Sequence, residues 1–230
     1  MPETLGTTRA EVFAELALEL HAAPNLDETV ETVVRSAVPM VGCDYAGVLL
    51  AQPDGALVIG AVTDARVERM YRWQIENGAG PALDGLAGGH TVYVADVALA
   101  TDWPQWQAEA VACEVGSVLH IPMLAGENSV GVLSLYGAKP HAFSDVDAEP
   151  IGRIIARHAT VAISSSRKVE DLARAVDARK LVGLAMGILM ERYDLDGDQA
   201  FEVLRRYSQH TNTKLHTVAQ QLVDTRRLPS

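Results

Sequence analysis

The chain has 230 residues, of which 48% are hydrophobic and 21% charged, and a formal net charge of −11. That composition fits one or two soluble globular domains; with no run of eighteen apolar residues and no signal-peptide pattern, a cytoplasmic protein without a membrane partner is expected. Cys43 and Cys113 are the two cysteines, too few for a disulfide framework and without the neighbouring histidines of a zinc spacing, so a buried thiol at each and no cofactor are expected.

Thr8–His21 reads as an amphipathic helix with Phe13, Leu16, Ala17 and Leu20 inward. Pro24 interrupts it. A second helix is expected from Asp27 to Val38, with Val30, Val33, Val34 and Ala37 on one face. Tyr45–Ala51 and Leu57–Val62 read as strands joined by the turn Pro53-Asp54-Gly55. Asp64 is placed to cap a helix running to about Trp73. Gly78 to His90 holds five glycines and a proline, a composition that predicts a loop. Thr91–Val94 follows as a short strand. Trp103–Cys113 is expected to be a helix started by Asp102 with Pro104 in its first turn. Val118–Met123 and Val130–Tyr136 are strands around the turn Gly126-Glu127-Asn128. Antiparallel hairpins with helices before, between and after them imply an α+β fold.

Several stretches of this part match a known family. They are Gly80-Pro81, the run Val94-Ala95-Asp96-Val97, Gly116 to Leu119, Ile121-Pro122-Met123, and Gly131-Val132-Leu133-Ser134-Leu135-Tyr136, with Phe143 and Asp147 after them. Together they resemble a GAF domain over residues 8–165. The resemblance implies a sensory module on a central antiparallel sheet, responding to a small-molecule or protein signal. The Asn-Lys…Phe…Asp-Glu signature of the cyclic-nucleotide subgroup is absent, as are the clustered cysteines of free methionine sulfoxide reductases and a bilin-attachment cysteine.

Beyond Ser144 a long helix is expected to run to Tyr193, since no glycine or proline falls between Ile154 and Arg179. Ile151, Ile155, His158, Ala162, Ser165, Val169, Leu172 and Val176 repeat at alternating steps of four and three. That is a heptad seam, and it predicts a coiled-coil homodimer. The other reading is that Ile151–Ala162 packs back on the sheet.

The end of that helix opens a group of three. Leu181, Leu184, Ala185, Ile188 and Leu189 share a face. Asp196, three residues before Gln199, forms a capping-box start for the next helix, which carries Ala200, Phe201, Leu204, Tyr207 and Ser208 on one side. Asn212 or Thr213 is placed to cap the third, whose stripe is Leu215, Val218, Ala219, Leu222 and Val223. Ala185, the run Gly187-Ile188-Leu189-Met190, Ala200-Phe201, Leu204-Arg205, Ser208, Asn212, Lys214-Leu215 and Ala219 resemble the ANTAR module. The resemblance covers residues 166–227 and implies a three-helix, RNA-binding unit of bacterial transcription antiterminators. Many members have a lysine before the glycine of the first helix; that position is Met186 here.

Charge is distributed unevenly. Residues 168–230 hold 10 Lys and Arg against 9 Asp and Glu, whereas residues 1–167 hold 9 against 21. This asymmetry is compatible with nucleic-acid binding by the last part alone. For RNA contact the chain offers Arg179, Arg192, Arg205, Ser208, Asn212 and Lys214, able to neutralise phosphates or reach bases. Trp73, Trp103, Trp106, Cys113 and His120 are the candidate ligand contacts of the sensor, each also explicable as core packing.

No Gly-x-Ser-x-Gly, P-loop or His-Glu-x-x-His pattern is present, and no catalytic residue is assigned. The reading is a regulator that binds hairpin loops of a nascent leader transcript and keeps a terminator from forming. Two alternatives stand beside it: a DNA-binding regulator with a helix-turn-helix tail, whose third helix is poor in basic and amide residues, and a small redox enzyme on the GAF fold using Cys113.

Overall fold

The computed structural model describes residues 9–126, 128–144 and 147–228. The expected helix start at Thr8 and the turn residue Glu127 lie outside them. The chain divides into two compact units, Met1–Arg167 and Lys168–Ser230.

The first unit opens with α1 (Arg9–Ala22) and α2 (Leu26–Val41). Asn25 caps α2, its Oδ1 accepting from the Glu28 N–H at 2.9 Å. The helix continues past the expected end at Val38 and carries Pro39 inside it. Gly42, at φ 77°, closes it by donating to the Val38 carbonyl. Strands β1 (Tyr45–Ala51) and β2 (Leu57–Val62) have the expected bounds. Asp64 caps α3 (Ala65–Asn77) as its position predicts.

The glycine-rich stretch is not all loop. Pro81–Gly88 forms a helix, α4. Pro81 fits a first helical turn, where its missing N–H costs nothing. The capping group comes from elsewhere: Gln74 of α3 accepts from the Ala82 N–H at 2.9 Å. Gly80, at φ 135°, lies so close that an added Cβ would meet Gln74 Oε1 at 2.4 Å. The signal for α4 is therefore carried by a residue outside the stretch itself.

Strand β3 (Val92–Val94) and a 3-10 turn at Val97–Leu99 lead to α5 (Pro104–Ala112). The expected cap at Asp102 is corrected: Trp103 occupies the N-cap position and no side chain caps the helix. Strands β4 (Ser117–Ala125) and β5 (Asn128–Gly137) complete the sheet. Its order is β2-β1-β5-β4-β3, antiparallel throughout.

Strand alternation sends successive side chains to opposite faces. Ala46, Val48, Leu119, Ile121, Leu133 and Leu135 face a core built with α1, α2 and the start of α6 (Ala148–Tyr193). Leu49, Val118, Val132 and Tyr136 face a second core covered by α3, α4 and α5. Cys43 belongs to the first core and Cys113 to the second, both buried as expected.

Helix α6 is one element of 46 residues that passes through the boundary between the units. Its seam divides in two. Ile155 is buried and Ile151 and Ala162 pack against the sensor core, alongside Ala156, Ala159 and Ile163. Val169, Leu172 and Val176 are 66%, 67% and 59% exposed. Packing on the sheet accounts for the first half and not for the second.

In the second unit, α6 is joined by α7 (Gly197–His210) and α8 (Leu215–Thr225). Their core is Ala185, Leu189, Ala200, Leu204, Val218, Ala219 and Leu222. The capping box is present in both directions: Asp196 accepts from the Gln199 N–H at 2.8 Å, and Gln199 accepts from the Asp196 N–H at 3.0 Å. The apolar stripes are narrower than the periodicity suggests, since Leu184 and Phe201 are exposed. Met186, where a lysine is common in the resemblance, packs against this core.

Candidate sensor core and nucleic-acid interface

The face of the sheet under α3, α4 and α5 holds a polar layer inside an apolar core. His120 of β4 pairs in register with Ser134 of β5, and Val118 with Tyr136. His120 Nδ1 and Ser134 Oγ are 2.7 Å apart, and the His120 ring meets the Tyr136 ring edge-on at 5.7 Å. Tyr71 of α3 reaches the same place from above. An added Cβ at Gly47 would meet the Tyr71 hydroxyl at 3.1 Å, and Gly47 is the register partner of Ser134. Glycine at that position is what lets the tyrosine approach β1.

This layer is sealed. His120, Ser134, Tyr71, Tyr136 and Trp106 are all 0% exposed. Burial drives the His120 imidazole down from 6.5 to about 3, so it is neutral. Burial raises Tyr71 and Tyr136 well above the ordinary phenol range. The two phenols lie near enough to Ser134 and to each other for each to influence the others, though neither hydroxyl completes a hydrogen bond.

The expected ligand residues are not gathered at one spot. His120 and Trp106 belong to the buried layer and its core. Trp103 is half-buried, edge-on to Trp106 at 6.1 Å, and its Nε1–H donates to Asp84 at 2.8 Å, tying α5 to α4. Trp73 lines a separate surface groove of about 350 Å³ with Glu68, Arg69, Arg72 and Glu109. Desolvation raises the Cys113 thiol and pushes Cys43 up to about 12. Tyr71, Ser134 and Tyr136 are not among the ligand contacts expected from the sequence. A usable signal exists: Val132, Ser134 and Tyr136 alternate along β5 on the same sheet face as His120, and two polar groups recur there in an otherwise apolar strand.

The second unit presents a groove of about 790 Å³ between α6 and α8. It is lined by Leu181 and Leu184 together with Arg174, Lys180, Lys214 and His216, with Asp177 as the acidic member. Arg174 is held by Asp171 at 2.6 Å.

Of the expected RNA contacts, Lys214 lines this groove. Arg205 does not; it is exposed on α7 and ion-paired with Glu202 at 2.8 Å. Arg192 donates to the Arg226 carbonyl at 2.6 Å and so closes the end of α8. Ser208 Oγ donates to the Thr213 carbonyl at 2.6 Å, while the Thr213 N–H donates to the Ser208 carbonyl. That reciprocal bracket shapes the turn between α7 and α8. Asn212 sits in the turn at φ 50°, a region asparagine tolerates. Neither Asn212 nor Thr213 caps α8, a correction to expectation: Lys214 is the N-cap residue and no side-chain cap bond is made. Arg179 is exposed. The sequence reading missed Arg174, Lys180 and His216, because their proximity depends on how α8 crosses α6.

A profile of the GAF domain matches residues 23–164, and one of the ANTAR domain matches residues 170–223. The chain belongs to the GAF family and carries an ANTAR domain after it. Its domain content is that of a ligand-sensing regulator of the antitermination type. The anaerobic nitric oxide reductase transcription regulator NorR of Escherichia coli (strain K12 / DH10B) is 22% identical over 224 residues, covering 91% of this chain. The chain spans 44% of that relative's length. The GAF domain of the Acinetobacter phosphoenolpyruvate-protein phosphotransferase superposes with a TM-score of 0.55 at 13% identity, covering 72% of this chain and 98% of that one. Free methionine-R-sulfoxide reductase of Neisseria meningitidis, in complex with its substrate, gives 0.53 at 18%, covering 70% and 90%. These likenesses establish the fold. Among the described residues, no helix is long and apolar enough to cross a membrane.

Proposed function

We propose that the protein is a signal-responsive transcription antitermination regulator whose ANTAR domain binds hairpin loops of a nascent leader RNA as a homodimer, with the GAF domain as its sensor. The observation that carries this reading is the groove between α6 and α8. Lys180 and Lys214 offer two cations to phosphates, and Leu181 and Leu184 offer apolar lining to a splayed base. Loops of RNA are read mainly through such unstacked bases. Outside the ANTAR unit the chain is strongly acidic, so long-range attraction to RNA is confined to this unit. Arg179, Arg192, Arg205, Ser208 and Asn212 are further contacts in this proposal, with Ser208 acting through the turn it holds.

The test is binding of a leader-derived hairpin pair and of duplex DNA at equal salt. The hairpins are expected to bind more tightly. Lys180→Ala and Lys214→Ala should each weaken hairpin binding by about 1–3 kcal/mol. The double variant should flatten the salt dependence by about 1.4 in log–log slope, for two lost contacts to single-stranded RNA. Tighter binding of duplex DNA, with the lysine variants affecting it equally, would instead support a DNA-binding regulator. The burial and raised pKa of both thiols weigh against thiol chemistry on this fold.

A further inference from the structure

The groove between α6 and α8 carries a group that phosphate binding does not explain. Arg174, Lys180 and Lys214 line it as cations, and Asp177 stands among them. Yet Asp177 is paired with none of them. Among the described residues its carboxylate forms no ion pair and no hydrogen bond. Arg174, one turn before it, is turned back to Asp171 at 2.6 Å. Gln220, on the α8 side, donates to Asp224 at 2.7 Å. A free carboxylate repels the phosphates that Lys180 and Lys214 attract, so its place in the groove suits a partner rich in donors. Asp177 is exposed, and Leu181 and Leu184 follow it at helical spacing on the same face of α6.

We propose that Asp177 is the base-reading residue of this groove, and that its carboxylate accepts both Watson–Crick donors of an unpaired guanine. The proposal rests on reading the ANTAR unit as a binder of RNA hairpins. An ionised carboxylate only accepts, and its two oxygens take two parallel N–H donors side by side, as they do from an arginine fork. Guanine presents such a pair, N1–H and the N2 amine, on its Watson–Crick edge. Adenine and cytosine set a ring-nitrogen acceptor beside their amino group, and uracil flanks its single N–H with two carbonyls. Each of these turns a lone pair on the carboxylate, which is discrimination by repulsion as well as by attraction. The guanine edge is free only where the base is unpaired, so the same contact rejects a stem or a duplex. The face of the base packs on Leu181 and Leu184, while Lys180 and Lys214 hold the flanking phosphates. The cations fix position and the carboxylate supplies specificity.

The experiment measures binding of the full chain to the leader-derived hairpin pair, with each loop guanine replaced in turn by inosine, which lacks only the N2 amine, and by adenosine. At one loop position inosine is expected to weaken binding at least about fivefold, and adenosine at least about tenfold. Asp177→Asn should weaken binding of the parent hairpins at least about tenfold and hold the guanine and inosine forms alike. Its salt dependence should be unchanged, because no phosphate contact is lost. Asp177→Glu keeps the carboxylate and should keep the preference for guanine over inosine. A bystander carboxylate predicts the reverse: Asp177→Asn would tighten every hairpin by removing a charge that repels phosphate. That tightening overturns the proposal. So does a guanine preference that persists in Asp177→Asn, parent binding blind to every inosine, or a leader whose loops hold no guanine. In each of those outcomes the parent protein still prefers hairpins to duplex DNA, and the antitermination reading stands. Tighter binding of duplex DNA by the parent protein would sink both.

Discussion

His120 sits where an imidazolium has no support. Its Nδ1 is engaged with Ser134 and its ring with Tyr136, and burial holds it neutral down to about pH 3. Between that value and its ordinary 6.5, the unfolded chain binds a proton that the folded chain does not. Stability therefore rises with pH through this window and is lost on acidification. The slope from this one group approaches about 1.4 kcal/mol per pH unit. His120→Gln, which keeps a partner for Ser134, should show a correspondingly shallower decline in urea-melt stability from pH 6 to pH 4.5, and no difference in slope above pH 7. Parallel curves would show that the group does not titrate as described. The alternation of β4 was enough to turn His120 away from Leu119 and Ile121, as the structure shows. Its hydroxyl neighbours were not legible, because Ser134 and Tyr136 reach it through strand pairing and Tyr71 through a helix crossing at Gly47.

Elements whose signals are local were read closely. β1 and β2 have the expected bounds because alternation and the Pro-Asp-Gly turn fix both ends, and α7 starts at its capping box. Elements whose signals are distant were misread. α4 takes its cap from Gln74, and the α7–α8 turn is held by Ser208, so glycine content and an asparagine pointed elsewhere. Asp196→Ala removes the side-chain bond of the capping box, leaving the backbone N–H at 196 to donate to Gln199, and should cost about 1 kcal/mol of ANTAR stability, seen as a lower melting temperature of the helical signal. Helix α6 raises a different question. An isolated helix with Val169, Leu172 and Val176 exposed leaves apolar surface in water, and a partner helix in heptad register would cover it. If the seam pairs two copies as proposed, Leu172→Asp with Val176→Asp is expected to convert that dimer to a monomer in sedimentation velocity while the sensor stays folded. Unchanged mass would remove the seam, as would a monomeric parent protein.

The molecule as a whole has separate cores and separate charge. The GAF unit builds two cores on its sheet, whereas the ANTAR unit, among the described residues, rests on seven fully buried ones. Charge asymmetry between the units was visible in the sequence; the separation of the cores follows only from the packing. A bundle of about sixty residues buries a smaller share of its surface than a larger unit and is the more marginal of the two. Calorimetry of the full chain is therefore expected to show two transitions, the lower belonging to the ANTAR unit. Asp196→Ala should move only the lower one, by about 4–8 °C for each kcal/mol lost in a unit of this size. Leu133→Ala, in the buried centre of β5, should move only the upper one, by the equivalent of about 2–5 kcal/mol. If α6 pairs with a second copy, the lower transition should also rise with protein concentration, since association stabilises the folded form by mass action. A single transition shifted by both substitutions would show that α6 couples the units into one cooperative body, and an upper transition that moves with Asp196→Ala would reverse the order of stability argued here.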